Sequence, residues 1–389
     1  MTNQKHLLIF ILTLGVFGIL NTEMGVIGIL PSLAEHFDVS ISQAGWLVSL
    51  FAIGVAVSGP TMPLLFSGIN RKKVMLLVLG VFVAGNVVSV WAPTFTVALL
   101  ARVIPAFFHP VYCSLAFTVA ANSVTEEEAP KAVSKVFIGV SAGMVVGVPI
   151  ASFMASAFSL QMAMIFFAVV NGMVFLATLL FVPSMPVEGR LSYGAQLSIV
   201  KKPITWISAA AVLLLNSAVF GVYSYFAEYL KAVTHMSPNP ISFLLFLYGG
   251  ANMVGNVLAG KLLTKHAIKW VGSFPFALGG VYLALFLLGP FSQPMVVITL
   301  IWGILAGMGG NLNQYLMTSA APEAPDFANG LFLSSTNVGT TLGAAAGGFF
   351  ITGMGTSYVV IAGFLSILLS FAVLTLRKDR FAPTRKLPG

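Results

Sequence analysis

Apolar residues follow one another along most of this chain in runs that are too long for the core of a soluble protein. Breaks at charged residues, Pro and Gly divide them into twelve segments, each about as long as the 20 or so residues that cross the hydrocarbon core of a bilayer. The segments lie near residues 7–31, 43–66, 72–92, 95–121, 132–157, 161–182, 204–231, 240–263, 269–290, 294–318, 327–353 and 357–376. The pattern predicts an all-α membrane protein with twelve transmembrane helices.

The composition supports a chain that is surrounded by lipid. Hydrophobic residues make up 58% of the sequence and charged residues only 8%, whereas about a quarter of the residues of an average soluble domain are charged. The single cysteine, Cys113, lies inside an apolar segment, so no disulfide can form within the chain. The first segment is too long for a cleavable signal peptide and contains Glu23, so we expect it to remain as a transmembrane helix.

The basic residues indicate the orientation of these helices. If the N-terminus is cytoplasmic, all but two of the 19 Lys and Arg residues fall on the cytoplasmic side; the exceptions are Lys231, on the outer side, and Arg102, within a segment. The cytoplasmic set is Lys5, Arg71, Lys72, Lys73, Lys131, Lys135, Arg190, Lys201, Lys202, Lys261, Lys265, Lys269, Arg377, Lys378, Arg380, Arg385 and Lys386. Because these residues occur in short clusters and form no single basic face, nucleic acid is not an expected partner. Both termini are predicted to be cytoplasmic.

Internal similarity divides the chain into two halves. Residues 183–203 form the longest predicted cytoplasmic connection, between a six-helix bundle at 1–182 and a second at 204–376, with a cytoplasmic tail at 377–389. Each half carries three glycines at four-residue spacing, which we call the glycine ladders: Gly139, Gly143 and Gly147, and then Gly339, Gly343 and Gly347. Such spacing is typical of closely packed helices, and it is also compatible with a gating role. The halves read as two parallel repeats with the site at their interface.

Four stretches of the chain resemble the major facilitator superfamily and, within it, the drug:proton antiporter branch with its bacterial sugar and arabinose efflux group. Asn21–Pro31 is the most specific match to that group, and Leu99–Ala106 resembles a proton-relay motif with its intramembrane Arg. Residues 139–149 resemble the antiporter signature, and 63–73 resemble the basic end of the superfamily's signature loop. The sequence departs from these motifs at a few positions: Ser67 stands where an Asp is usual, Pro105 and Ala106 replace Gln and Gly, and Val148 interrupts a Gly-Pro pair.

The resemblance implies the major facilitator fold, a bacterial inner membrane location, and proton-driven export by a monomer. It carries gating roles over to the matching residues of the fifth helix and the signature loop. These residues are Gly143, Gly147, Pro149, Arg71 and Lys72.

Two charged residues lie deep in the predicted bilayer, where each costs about 2.5 to 3.5 kcal/mol. Glu23 is eight residues and Arg102 roughly eight residues from the outer end of its segment, so both should lie about 12 Å below the outer surface. We expect Arg102 to pair with Glu23 and to hold it ionised until a proton or a cationic substrate displaces Arg102; a purely structural ion pair is the alternative. His109, seven residues after Arg102, lies on nearly the same face and could relay protons or serve only in packing. Glu228 is more typical of an interfacial residue.

Uncharged polar and aromatic residues at helical spacing predict a cavity that suits a neutral polyol or a mixed polar and aromatic compound. Hydrogen bonds between helices are the alternative explanation for any one of them. The candidates for substrate contact are Asn21, Tyr223, Tyr225, Phe226, Asn252, Asn256, Asn311, Gln314 and Asn337.

The function that these features favour is proton-coupled efflux of a small sugar-like or drug-like solute by alternating access, with Glu23 as the protonation site and Arg102 as its modulator. The alternatives are a uniporter or proton symporter of a nutrient, or a receptor on a transporter scaffold. An enzyme is not expected, because the sequence has no HExxH or GxSxG motif and its five His residues are scattered. The expected partners are the solute, protons and membrane lipid, with no metal and no cofactor.

Overall fold

The computed structural model describes residues 3–187 and 193–378, whose regular structure is helical. The first part contains α1 (Asn3–Gly25), α2 (Leu30–His36), α3 (Ile41–Ala44), α4 (Trp46–Ser58), α5 (Met62–Phe66), α6 (Arg71–Val90), α7 (Phe95–Asn122), α8 (Ala129–Ala157) and α9 (Leu160–Phe181). The second contains α10 (Tyr193–Ser198), α11 (Pro203–Tyr223), α12 (Phe226–Ala232), α13 (Pro238–Leu288), α14 (Ser292–Thr318), α15 (Pro325–Met354) and α16 (Val359–Lys378). Arg190 of the predicted linker and Arg380, Arg385 and Lys386 of the predicted tail lie outside the described residues.

The described residues form twelve membrane-crossing segments in the predicted order. Nine helical segments among them are long and apolar enough to cross a membrane alone. One of these is α13, which contains two helices because His266 has non-helical backbone angles (φ −145°, ψ 41°). The other two segments are α4, which has 13 residues and continues through a break into α5, and the 30-residue α15, which is rich in Gly, Ser, Thr and Asn. The all-α fold class is therefore confirmed.

Local sequence explains where several helices begin. The side chains of Asn70, Thr94 and Ser159 cap α6, α7 and α9 by accepting a hydrogen bond from a backbone N–H of the first turn. Proline occupies one of the first two positions of α8, α11 and α15, where no intrahelical partner for its nitrogen is needed. Inside the spans, the helix itself satisfies the backbone groups, as a lipid environment requires.

The helices run up and down, so their connections collect at two ends of the bundle. One end, which we call the linker face, carries the connections 67–70, 123–128 and 319–324 and the described residues 182–187 and 193–202. There Arg71 N donates to Met185 O at 3.0 Å, and Lys202 forms an ion pair with Glu323. The opposite face carries the connections 91–94, 158–159, 233–237 and 289–291.

The two halves repeat one packing arrangement around their glycine ladders. In the first half α8 lies against α1, and a Cβ added at Gly139 would stand 2.2 Å from Thr13 O. In the second half α15 lies against α11, and a Cβ at Gly339 would stand 2.4 Å from Leu213 O. Only glycine allows backbones to approach so closely. The ladders therefore serve close packing within each half.

Contacts between the halves involve α8 against α13 and α14, and α4, α5 and α7 against α15. The contacts between the halves described below lie in the middle and in the linker-face part of these helices. The interface is closed at the linker face.

Candidate functional site

Glu23 and His109 meet inside the first half. His109 Nε2 lies 3.1 Å from Glu23 Oε2, and only 11% of the Glu23 side chain and 5% of the His109 side chain are exposed. Cys113 Sγ lies 3.7 Å from the same nitrogen, and the Phe51 ring meets the imidazole edge to face at 6.0 Å. The two groups are within ion-pair distance without the geometry of a hydrogen bond, so both Glu23 Oε2 and the buried Nδ1 of His109 lack a hydrogen-bond partner. A proton added at Nδ1 would convert a pair of net charge −1 into a neutral ion pair.

Two prolines inside α7 surround this site. Pro105 lies between Arg102 and His109, and Pro110 follows His109 directly. A proline has no backbone N–H, so each removes one hydrogen bond from the helix ladder. This part of α7 therefore depends on contacts with neighbouring helices more than a regular helix does.

Arg102 is buried beside Glu23 but does not pair with its carboxylate. Its Nε donates to Leu47 O at 2.7 Å, one terminal nitrogen donates to Thr22 O at 2.9 Å, and the other donates to Glu23 O at 2.6 Å. The guanidinium also lies over the Phe51 ring, 5.0 Å from its centroid. The matching depth that the sequence suggested is correct, but the expected direct ion pair is wrong. The extended Arg side chain reaches the last turn of α1, before the 3₁₀ helix Val26–Ile29, and the Glu23 carboxylate lies next to His109 instead.

A buried polar network next to Glu23 was not predicted. Thr22 Oγ1 accepts a hydrogen bond from Asn171 Nδ2 at 2.8 Å and from Asn86 Nδ2 at 3.2 Å, and it donates to Gly18 O at 3.1 Å. The network fixes α1 against α6 and α9. Its signal in the sequence is one Asn in each of two strongly apolar segments, which is costly unless the amide has partners.

A second polar group, which we call the amide cluster, joins the halves. Ser141 Oγ in α8 lies 2.5 Å from Asn252 Oδ1 and accepts from Asn256 Nδ2 at 2.6 Å, both in α13. Asn311 Nδ2 in α14 donates to Asn256 Oδ1 at 2.7 Å, while Asn311 Oδ1 is buried without a partner. Three predicted substrate residues are thus brought together, and Ser141, which the sequence analysis missed, connects them to the first half.

The linker-face part of α15 is held by hydrogen bonds and one ion pair. Gln314 Nε2 donates to Asn329 Oδ1 at 2.9 Å, and Asn329 Nδ2 donates to Thr118 Oγ1 of α7 at 3.2 Å. Arg71 and Asp326 form an ion pair across the halves with 3.7 Å between a guanidinium nitrogen and Oδ2. Of the predicted gating residues, Arg71 therefore contacts the other half.

Aromatic and backbone contacts complete the closure at this end. Phe332 of α15 packs edge to face against the stacked rings of Phe117 and Phe137, with centroids 6.2 and 6.1 Å away. At Gly330 a Cβ would stand 2.1 Å from Gly59 O, so α15 touches the backbone that follows α4. No side chain fits between the halves at this point.

The other predicted gating residues lie within the first half. Gly143 and Gly147 face Leu20 and Asn21 of α1. Pro149, two residues after Gly147 in α8, is exposed. Lys72 Nζ donates to Leu179 O of α9 at 2.9 Å, so this residue ties the signature loop to its own half.

Several predicted substrate residues have local roles in this conformation. Asn21 is fully buried between α1 and α8, and Phe226 is fully buried against Trp302. Tyr225 donates to Ala344 O at 2.9 Å, and Asn337 donates to Leu333 O of its own helix at 2.8 Å. In this conformation these four residues therefore pack or hydrogen-bond within the second half or, for Asn21, within the first half, and their contact with a solute stays a prediction.

Tyr223 remains accessible in part. Its ring stacks on Tyr248 with centroids 4.3 Å apart, and both rings pack against the buried Trp302. Tyr248 adjoins Gly249, whose backbone faces Val145 of the first half, so this aromatic group borders the interface.

Comparison with known proteins gives a consistent result. The profile described as Major Facilitator Superfamily matches residues 12–326 and 214–389. The chain is 30% identical to the inner membrane transport protein YdhP of Escherichia coli (strain K12), over 97% of this chain and 96% of that protein. It is 26% identical to the transporter designated AraJ of the same strain, over 94% and 92% of the two chains. The crystal structure of FucP, a transporter in the outward conformation, superimposes with a TM-score of 0.77 at 14% identity, covering 94% of this chain and 97% of FucP.

Proposed function

The chain belongs to the major facilitator superfamily and is a membrane transporter, and from that premise we propose that it exports a small organic solute in exchange for protons. The Glu23–His109 pair carries this proposal: a carboxylate and an imidazole 3.1 Å apart, almost fully buried, with an unpartnered Nδ1. An isolated ionised carboxylate in such a buried site would cost free energy. A role in binding and releasing a proton explains why a carboxylate is present there.

Helix α4 provides a route from this pair to the interface between the halves. Near its start Leu47 O accepts from Arg102 and Phe51 contacts His109. Near its end Ala56 O accepts a hydrogen bond from Ser334 Oγ of α15 at 2.9 Å. A change of charge at the pair therefore acts on a helix that also touches the second half, which is what proton coupling requires. Arg102, through its three backbone contacts, is a positioning residue for this arrangement.

We further propose that the linker face is cytoplasmic, which makes the present conformation closed to the cytoplasm. The distribution of basic residues supports that orientation. In this conformation protons from outside would reach the pair, and the amide cluster would be closed to the cytoplasm. Opening of the linker face would then offer the amides of Asn252, Asn256 and Asn311, together with Gln314 and Tyr223, to a solute.

The chemistry of these groups favours a solute rich in hydroxyl or amide groups and without strong negative charge. Amides and hydroxyls donate and accept hydrogen bonds, and the stacked tyrosines offer an apolar face to a ring. The sugar-like and the drug-like expectations both satisfy this description.

Proton release on solute binding tests the proposal. A panel of radiolabelled monosaccharides, disaccharides and ethidium first identifies a transported compound in proteoliposomes with an imposed pH gradient. Adding that compound to purified protein in weak buffer with a pH-sensitive dye should release protons from the wild type. Glu23→Gln should bind the compound and release none.

Glu228→Gln is the matched control, because it neutralises an exposed carboxylate in α12. It should release protons as the wild type does. Unchanged proton release by Glu23→Gln would remove Glu23 from the mechanism, and wild-type transport that ignores the pH gradient would leave uniport as the better account.

A further inference from the structure

A cavity of about 30 Å³ lies inside the first half, next to Arg102 and apart from the amide cluster. Its polar lining consists of Thr22, Asn86, Ser89 and Arg102, and the rest of its wall is apolar. This volume holds roughly two water molecules or one ion of similar size. An organic solute of the proposed class needs about ten times more space. The cavity therefore fits a very small ligand.

The hydrogen-bonding capacity of the polar lining favours an acceptor. Arg102 uses three of its five N–H groups on backbone carbonyls, so its two terminal nitrogens keep one N–H each. Asn86 Nδ2 gives one N–H to Thr22 Oγ1 and keeps a second. Ser89 donates its hydroxyl proton to Gly85 O at 2.8 Å. The N–H groups that remain without an acceptor therefore belong to the Arg102 guanidinium and the Asn86 side-chain amide.

The balance of charge points in the same direction. Among the described ion pairs none joins a carboxylate to Arg102, and the nearby Glu23 carboxylate already faces His109. When Glu23 is ionised and His109 is neutral, the three groups sum to zero. When the Glu23–His109 pair gains a proton, they sum to +1 within a buried region, where an uncompensated charge is costly. A mobile anion beside Arg102 would restore neutrality.

We propose that this cavity is a binding site for a small monovalent anion of the size of chloride. The positive charge of Arg102 repels a hydronium ion, so a proton path through the cavity is disfavoured. Water alone would fill the space without offsetting the charge. Because the anion and the ionised Glu23 repel each other, neutralising Glu23 strengthens anion binding, whatever the role of Glu23 in transport.

Bromide locates the site directly, because its anomalous scattering distinguishes it from water. Crystals of the full chain grown in sodium bromide should show an anomalous peak within hydrogen-bonding distance of Arg102 and Asn86. A bromide structure with no peak in this cavity would overturn the proposal.

The melting temperature of the purified protein provides a second readout. At constant ionic strength, replacing gluconate by chloride should raise the melting temperature along a saturable curve, because the anion binds the folded state. Ala101→Val narrows the cavity without removing Arg102 and should abolish the rise. Ala121→Val is the matched control, because it makes the same change to a partly buried alanine at the other end of α7, and it should keep the rise.

Glu23→Gln tests the electrostatic argument separately. Its chloride curve should reach half-saturation at a concentration several-fold lower than that of the wild type. An equal rise in Ala101→Val and the wild type would refute the site, and so would a weaker response in Glu23→Gln. These outcomes are independent of proton coupling, since no transport is measured.

Discussion

Gly330→Ala should shift the transporter away from the conformation in which the linker face is closed. The added Cβ would stand 2.1 Å from Gly59 O, and ordinary contacts begin at 3.4 Å, so α15 and the α4 end must separate by about 1.3 Å (3.4 − 2.1). Rotamer changes give no relief, because the obstacle is backbone. Overpacking of this kind costs about 1–3 kcal/mol. Since only the closed conformation contains the contact, this cost changes the ratio of conformations by roughly 5- to 150-fold.

Pulsed electron paramagnetic resonance measures that ratio, with spin labels in the connections 67–70 and 319–324 and Cys113 replaced by Ser. The wild type should show mainly the short distance, and Gly330→Ala mainly a longer one. Gly353→Ala is the matched control: it lies in the same helix, gains the same helix propensity and meets no atom within 4 Å. Identical distance distributions for the two variants would refute the argument that backbone contact at Gly330 defines the closed state.

Three further expectations follow from contacts at the same end of the molecule. Arg71→Ala should increase labelling of the linker face by a water-soluble thiol reagent at an introduced cysteine, and the exchange of Arg71 and Asp326 should restore protection if their ion pair causes it. Ser141→Ala leaves two amides without their shared hydroxyl and should lower the free energy of unfolding by about 1–3 kcal/mol in a denaturant titration. Burial raises the pKa of the Glu323 carboxyl, but the hydrogen bond from Lys202, a backbone hydrogen bond and the positive charge of Lys202 together outweigh burial and leave the pKa below its ordinary value. That stabilisation is present at neutral pH and is lost as pH falls through the lowered pKa; because 38% of the Glu323 side chain is exposed, Lys202→Ala should change the free energy of unfolding by less than about 1 kcal/mol at pH 7.

The number and order of the helices could be predicted because lipid imposes a simple rule. A backbone in hydrocarbon must satisfy its own hydrogen bonds, so long apolar runs become helices whatever their neighbours are. The glycine ladders at Gly139 and Gly339 likewise predicted that two helix backbones approach closely, and the structure shows this approach in both halves. Helical periodicity was also sufficient to bring Arg102 and His109 to the same side of α7, facing Glu23.

The partners of each polar group could not be predicted, because they depend on the register between helices. Arg102 donates to three backbone carbonyls and not to the Glu23 carboxylate. Two of these carbonyls lie in the last turn of α1, where the helix ends at Gly25. Asn256 and Asn311 satisfy each other only because α13 and α14 place them at one level. Asn21 is polar and lies in the most specific stretch of the sequence, yet it is buried against a glycine ladder. The set of residues that contact a solute also changes with conformation. The spacing of residues along the sequence does not indicate this change.

The central claim is that the Glu23–His109 pair couples solute movement to protons, and a comparison of two transport modes in proteoliposomes tests it most directly. Counterflow exchanges labelled for unlabelled solute and requires no net proton movement, whereas accumulation against a concentration gradient requires the pH gradient. The account predicts that Glu23→Gln retains counterflow of the compound found in the panel and loses accumulation driven by the pH gradient. Accumulation by Glu23→Gln at the wild-type level, under the same gradient, would contradict it.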